Sequence, residues 1–438
     1  MKNKKELGFF EAYKQDPIKA DLDIFGRKTD ESRRGFLKKS SLLAFAALIG
    51  ANIPFAANYP SGLIPAALAA VDENFKIEGK NGLLYHNDKP ITAETLPQFF
   101  DSEFVKPEHF FVRNNGLAPE IKDLDPKNWK LVIDGESCLK PTTFTLEELK
   151  KKFKHYTYAL TVECGGNGRG EIIPATSGTQ WGVGAIACGR WTGVRVKDVL
   201  ESCGIKNDAV YVGYEGIDIP LDGDASKKPI SRGIPIKKAL EEETLIAWAY
   251  EGADIPFMNG YPLRLVAGGF PGSVSGKWLT KLSVRNIVHD GPKMSESYKV
   301  PVNPVAPGTK VSKDTEMKII ESMPVKSVIS HPITNFKMEL DKTLEVRGKA
   351  WAGDLEVKEM EISIDFGETW QKATVEKPLN RLAWQSWKAS VKFPQKGYYE
   401  VWARATDTNG KKQPMVLPAW NPKGYLNNSC HRVAVYVG

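Results

Sequence analysis

Apolar and polar residues alternate through the C-terminal part of the chain. In Glu361-Ile362-Ser363-Ile364-Asp365 and in Tyr399-Glu400-Val401-Trp402-Ala403-Arg404-Ala405 every second side chain is apolar, the pattern of antiparallel strands with one buried face. Positions 343–349, 357–365, 383–393 and 398–407 carry this texture at regular spacing, parted by turns such as Phe366-Gly367 and Asn409-Gly410. Together they predict an all-β sandwich of immunoglobulin size over residues 317–438.

Residues 71–310 read as an α+β domain with strand-like and helix-like segments and many glycines. A strand at 130–135 runs into a turn, and a helix at 145–152 is capped by Thr145, with Glu148 completing a capping box. A buried strand at 156–162 leads into Glu163-Cys164-Gly165-Gly166, a helix follows at 194–201, and a strand at 263–267 precedes Gly268-Gly269-Phe270-Pro271-Gly272. Pro-, Lys- and Thr-rich residues 301–316 read as a linker.

Residues 1–70 read as an address. Ser32-Arg33-Arg34-Gly35-Phe36-Leu37-Lys38 is a twin-arginine pattern, an apolar run covers 42–55, and Ala67-Leu68-Ala69 offers a small-residue cleavage site. A membrane anchor is the competing reading, but Asn52, Pro54, Asn58, Pro60 and Pro65 interrupt the run. A twin-arginine signal implies a periplasmic destination and raises the prior for a redox cofactor. It also carries a net +4 of the chain's +7. What is left is too small and too mixed in sign to argue for nucleic acid.

The 438 residues include only five cysteines and six scattered histidines. No CxxC pair and no i, i+4 histidine pair occurs, so zinc-ribbon, iron–sulfur and haem motifs are absent. Cys164 opens Cys164-Gly165-Gly166-Asn167-Gly168-Arg169-Gly170. Its glycines allow close approach to a bulky ligand, and Arg169 would favour an ionised sulfur. Taken alone, a buried cysteine beside a glycine turn is more often structural. Gly166-x-Gly168-x-Gly170 lacks the spacing and the helix of a dinucleotide loop. Arg113, Arg169, Arg190, Arg232 and Arg264 recur nearby. They either stay solvated or paired, or line an oxyanion pocket that suits the planar guanidinium.

Several segments, in order, resemble the sulfite oxidase family of molybdenum enzymes. They are Phe110-Phe111-Val112-Arg113-Asn114, Glu163-Cys164-Gly165-Gly166-Asn167, Trp181-Gly182-Val183-Gly184, Gly189-Arg190-Trp191-Thr192-Gly193, Glu215-Gly216-Ile217-Asp218, Asn259-Gly260-Tyr261-Pro262-Leu263-Arg264, Lys277-Trp278-Leu279 and Trp420-Asn421-Pro422-Lys423-Gly424. The resemblance implies that Cys164 is the single protein ligand of a molybdenum carried by one molybdopterin, whose dithiolene supplies further sulfur. It implies that Arg113, Asn114, Asp218, Asn259, Arg264, Ser275 and Lys277 grip the pterin and its phosphate. Arg113 and Arg169 match arginines facing the substrate oxyanion, Trp181 an aromatic wall, and Lys423 an arginine approaching the pocket. Tyr298, twenty-one residues after Lys277, matches an active-site tyrosine.

The implied activity is oxidation of sulfite to sulfate by oxo transfer. Electrons would pass to an external c-type cytochrome, since the chain has no haem, flavin or iron–sulfur motif. The implied assembly is a homodimer formed through the sandwich. A sulfane dehydrogenase of thiosulfate oxidation or a sulfoxide reductase are alternatives on the same cofactor, and a non-catalytic binding subunit is a third. Asn115 and Asn259 stand where histidines are common, Gly168 replaces one of two adjacent arginines, and Lys423 keeps a charge without the bidentate fork. These departures bear on the choice of substrate. Cys138, Cys188, Cys203 and Cys430 read as structural.

Overall fold

The computed structural model describes residues 75–438 apart from Glu296, Lys313, Asp314 and Pro418, together with Asp16 and Lys19. The twin-arginine motif, the apolar run and the cleavage site lie outside the described residues.

Two five-stranded sheets organise the first part of the structure. One runs Ala253–Asp254, Leu245–Tyr250, Ile186–Arg195, Tyr156–Glu163, with Arg264–Val266 also paired to Leu245–Tyr250. The other runs Thr142–Thr145, Lys130–Asp134, Leu279–Arg285, Tyr211–Gly216, Gly233–Pro235. Their shared core includes Leu131, Ile133, Val194, Val212, Ile246, Leu265 and Leu282. Leu146–Lys152 is the expected helix, and both halves of the Thr145–Glu148 capping box are formed. The next helix, Val196–Cys203, starts two residues later than its apolar pattern predicts. Val194 and Arg195 are still paired with Ile246 and Leu245, so the ladder claims them first.

The C-terminal ladder has eight strands in the order Lys326–His331, Leu344–Trp351, Gln385–Val391, Gln371–Val375, Val357–Ser363, Gly397–Asp407, His431–Val437, Phe336–Met338. Gln371–Val375 pairs on both sides and passes the ladder from one layer to the other. Val346, Met360, Trp387, Val401 and Val435 fill the space between. The segment read as a linker is tied at its ends, because Lys299–Pro301 pairs with Met317–Ile319.

The two parts share one compact unit. Val328, Trp351, Leu382 and Trp384 of the sandwich enter the same apolar cluster as Phe100, Leu160 and Cys188. Trp384 Nε1 donates to the Glu103 carbonyl at 2.8 Å. Arg347 donates to both carboxylate oxygens of Asp101, at 3.0 and 2.8 Å.

A three-stranded sheet, Leu83–Asp88, Ile91–Thr95 and Val112–Arg113, packs alongside and delivers Arg113. Its Glu94, 4% exposed, accepts from the backbone N–H groups of Gly182 at 2.9 Å and Gly184 at 2.8 Å. Glu94→Ala leaves the buried Gly184 N–H and the partly buried Gly182 N–H unpaired and is expected to destabilise the protein by about 2 kcal/mol. A fall in the thermal unfolding midpoint checks this; an unchanged midpoint contradicts it.

Candidate functional site

Strand Tyr156–Glu163 buries every side chain from Ala159 onward and ends at Cys164. The Cys164 N–H donates to Ala185 O at 2.9 Å, and its carbonyl accepts from Asn167 N at 2.9 Å. This turns the chain sharply. Gly168 sits at φ 89°, a left-handed position that suits glycine. Only a short 3-10 turn, Arg169–Glu171, follows, so the glycine run is no dinucleotide loop.

Cys164 opens on a cavity. The same cavity is lined by the cations Arg113, Arg264 and Lys277, the carboxylate Asp218, the amides Asn115 and Asn259, Ser275, Tyr214 and Tyr298. Of the residues assigned from sequence, Arg113, Cys164, Asp218, Asn259, Arg264, Ser275, Lys277 and Tyr298 are therefore brought together. Asn114 stands directly behind, accepting through Oδ1 from Lys277 Nζ.

Backbone carbonyls hold the cations in place. Arg264 donates to Asn259 O at 2.8 Å and Ser275 O at 3.3 Å, and lies 5.2 Å from the centroid of the Trp191 ring. Lys277 donates to Met258 O at 2.9 Å. Ser275 Oγ accepts from Ala267 N at 3.1 Å. Burial pushes Arg264 down to about 10. Burial also holds Lys277 well below its ordinary value, helped by Arg264, Arg113 and Lys80 and opposed by Asp218. Burial raises Asp218 to about 6, with Lys277 and Lys228 pulling the other way. For Arg113 burial is outweighed: Tyr298, Cys164 and Tyr425 beside it keep the guanidinium above its ordinary value.

Tyr298 adopts φ 54°, rare for a residue with a side chain. Its ring stacks on Tyr425 at 5.2 Å and 18°. Arg232 lies 4.6 Å from the Tyr298 centroid, and Arg169 lies 5.3 Å from that of Tyr425. A column of guanidinium, phenol, phenol and guanidinium thus backs the site and reaches the cavity through Tyr298.

Three sequence assignments change. Arg169 does not line the cavity; it donates to Lys423 O and Thr179 O, both at 2.8 Å, and braces Tyr425. Trp181 is 1% exposed and packs in the apolar core, 5.0 Å from the His86 ring, instead of walling the pocket. Its turn is fixed by the two bonds from Gly182 and Gly184 to Glu94. The Lys423 side chain is exposed, because its backbone is engaged by Arg169 and the chain turns inward only at Gly424 and Tyr425.

Lys80, Tyr214 and Tyr425 gain roles that their sequence context does not mark, and Arg232, one of the recurring arginines, stacks on Tyr298 and does not line the cavity. Lys80 donates to Asn259 Oδ1 and to Pro107 O at 2.6 Å, and burial lowers it to about 7 despite Glu108. It lies far from the other site residues in sequence, and no local pattern marks it. The remaining cysteines are buried and unpaired. Burial raises Cys188 to about 11 and Cys430 to about 12, which suits inert thiols.

Residues 117–293 match the model of the oxidoreductase molybdopterin binding domain, and residues 317–438 that of the Mo-co oxidoreductase dimerisation domain. Human mitochondrial sulfite oxidase is 31% identical over 369 residues, covering 81% of this chain and 66% of that protein. Chicken sulfite oxidase is 29% identical, covering 80% of this chain and 77% of that protein. The barley nitrate reductase [NAD(P)H] is 29% identical, covering 80% of this chain and 41% of that protein. Among solved structures, the sulfane dehydrogenase SoxCD from Paracoccus pantotrophus superposes with a TM-score of 0.68 at 22% identity, covering 88% of this chain and 95% of that one; at that identity the likeness shows the fold. With both domain models matched in order, and with relatives along most of its length, the chain belongs to the sulfite oxidase family of molybdopterin oxidoreductases.

Proposed function

We propose that this chain is a molybdenum-dependent sulfite dehydrogenase of the periplasm. One observation carries the reading: a thiol, Cys164, and three cations, the buried Arg264 and the half-buried Arg113 and Lys277, line the same cavity. Among the described residues no group of three or more His, Cys, Asp or Glu comes together to hold a metal. A metal bound here must bring most of its own ligands, and the cations must meet an anion. A metal carried by an anionic, sulfur-donating organic group answers both demands, so the residues fit molybdopterin.

When bound, molybdenum on molybdopterin supplies two-electron oxo transfer. The chain supplies the rest. Cys164 offers the soft protein ligand. Arg264 and Lys277, braced by Asn259, Asn114 and Ser275, neutralise the phosphate. Arg113 lies beside Cys164 and Tyr298 and would hold the substrate oxyanion and offset its charge. Arg169 acts at one remove, through Tyr425. The electron acceptor is a separate c-type cytochrome, the sandwich forms a homodimer, and residues 1–70 serve export by the twin-arginine route.

Steady-state assays with ferricyanide or cytochrome c as acceptor, alongside metal analysis, test this. The isolated protein is expected to contain molybdenum and to oxidise sulfite in preference to thiosulfate. Turnover of thiosulfate alone would assign a sulfane dehydrogenase instead, and a metal-free protein from a molybdenum-replete host would refute the proposal. Cys164→Ser is expected to lose turnover while keeping its thermal midpoint.

The buried acid gives a second test. Asp218 holds its proton more tightly when folded, its value being raised to about 6. Its contribution to stability is therefore present at low pH and lost as pH rises through that value. Cofactor-free wild type is expected to lose stability relative to Asp218→Asn as pH rises from about 4 to about 7. Parallel stability curves would contradict this.

A further inference from the structure

The loop that carries Cys164 is clasped by the C-terminal sandwich. Glu163, immediately before the thiol, is 3% exposed, and Lys326 of the sandwich is 4% exposed. They form a buried ion pair at 3.4 Å. Lys326 Nζ also donates to Asn167 O at 2.9 Å. The second Glu163 oxygen accepts from Trp351 Nε1 at 2.8 Å, and the first from Asn167 Nδ2 at 3.0 Å. Further along, Leu426 N donates to Gly165 O and Asn427 Nδ2 to Gly168 O, both at 2.9 Å. His431, close to Lys326, is pushed by burial down to about 4 and stays neutral; its Nδ1 accepts from Ile329 N at 2.9 Å. It adds no competing charge near the pair.

A buried pair made only for stability gains little over apolar packing, because desolvation offsets the attraction. This pair does something apolar packing cannot: it fixes the chain on both sides of Cys164 from a separate domain. We propose that Lys326 is a positioning residue for Cys164, acting through Glu163 and Asn167, so that the sandwich sets the geometry of the thiol as well as joining subunits. The inference rests on the reading of Cys164 as the metal ligand, but the clasp can be tested without the metal.

The test compares Lys326→Met with Lys326→Arg, which keeps the charge, and with Trp351→Phe, which removes one donor to Glu163. In cofactor-free protein, alkylation of Cys164 by iodoacetamide is followed by mass spectrometry, with the other four cysteines as internal references. Lys326→Met is expected to speed alkylation of Cys164 alone by about tenfold, the mark of a locally loosened loop. Trp351→Phe should move it the same way by less, and Lys326→Arg should stay near wild type. In loaded enzyme, Lys326→Met is expected to shift the thiolate-to-metal absorption band and to lower kcat by up to about 100-fold, with KM changing far less. Unchanged Cys164 alkylation in both Lys326→Met and Trp351→Phe overturns the proposal, as does equal acceleration at all five cysteines. If Lys326→Met does not fold, Trp351→Phe decides alone. A molybdenum-free wild type would refute the functional reading and leave the alkylation result standing.

Discussion

Unmatched positive charge is the constraint around which this site is arranged. Taking a cation out of water costs several kcal/mol unless a counter-charge meets it. Arg264 is held by backbone carbonyls and Lys277 by one carbonyl and the neutral Asn114 amide, and both are displaced downward by burial. Lys80 behind them, brought to about 7, shows the same tension. Among the described residues, Asp218 is the single carboxylate lining the cavity, and burial drives it towards neutrality. Such an arrangement suits a receptacle for an anion. A phosphate-bearing cofactor and an oxyanion substrate are the two ligands whose charge it would absorb.

The fold meets this demand by ending strands at one place. Cys164 follows Tyr156–Glu163, Asp218 follows Tyr211–Gly216, Arg264 opens Arg264–Val266, and Lys277 precedes Leu279–Arg285. Loops on rigid strand ends can hold polar groups to close tolerance while the sheets supply the core. The sandwich closes the remaining side. Its Lys326, Trp351, Leu426 and Asn427 reach the Cys164 loop, and its Tyr425 stacks on Tyr298.

Where a signal is local, the sequence already shows it. The Thr145–Glu148 capping box, the alternation in 357–365 and 398–407 and the glycines after Cys164 each depend on neighbours in the chain, and each has its counterpart in the structure. Glycine at 168 is local only in its left-handed φ; the atoms a Cβ there would meet, Asn427 Nδ2 at 3.1 Å and Lys326 Nζ at 3.3 Å, come from far along the chain. What the sequence hides is set across long separations. Lys326 meets Asn167 across 159 positions, and Arg169 meets Lys423 across 254. Nothing near Lys80, Lys326 or Tyr425 marks them. Trp181 and Lys423 were placed by motif, and the structure turns each away because a backbone contact next to it takes precedence. The strands Lys326–His331, Gln371–Val375 and His431–Val437 lack a sustained apolar–polar alternation in sequence and are defined by their pairing partners.

The central claim is that Cys164 joins a metal whose other ligands come from a cofactor held by the cavity's cations. X-ray absorption at the molybdenum edge of the protein as isolated addresses it most directly. The expected result is a metal bound to sulfur, with a sulfur shell that loses one member in Cys164→Ser while the remaining sulfurs stay. An identical sulfur shell in both proteins would contradict the account.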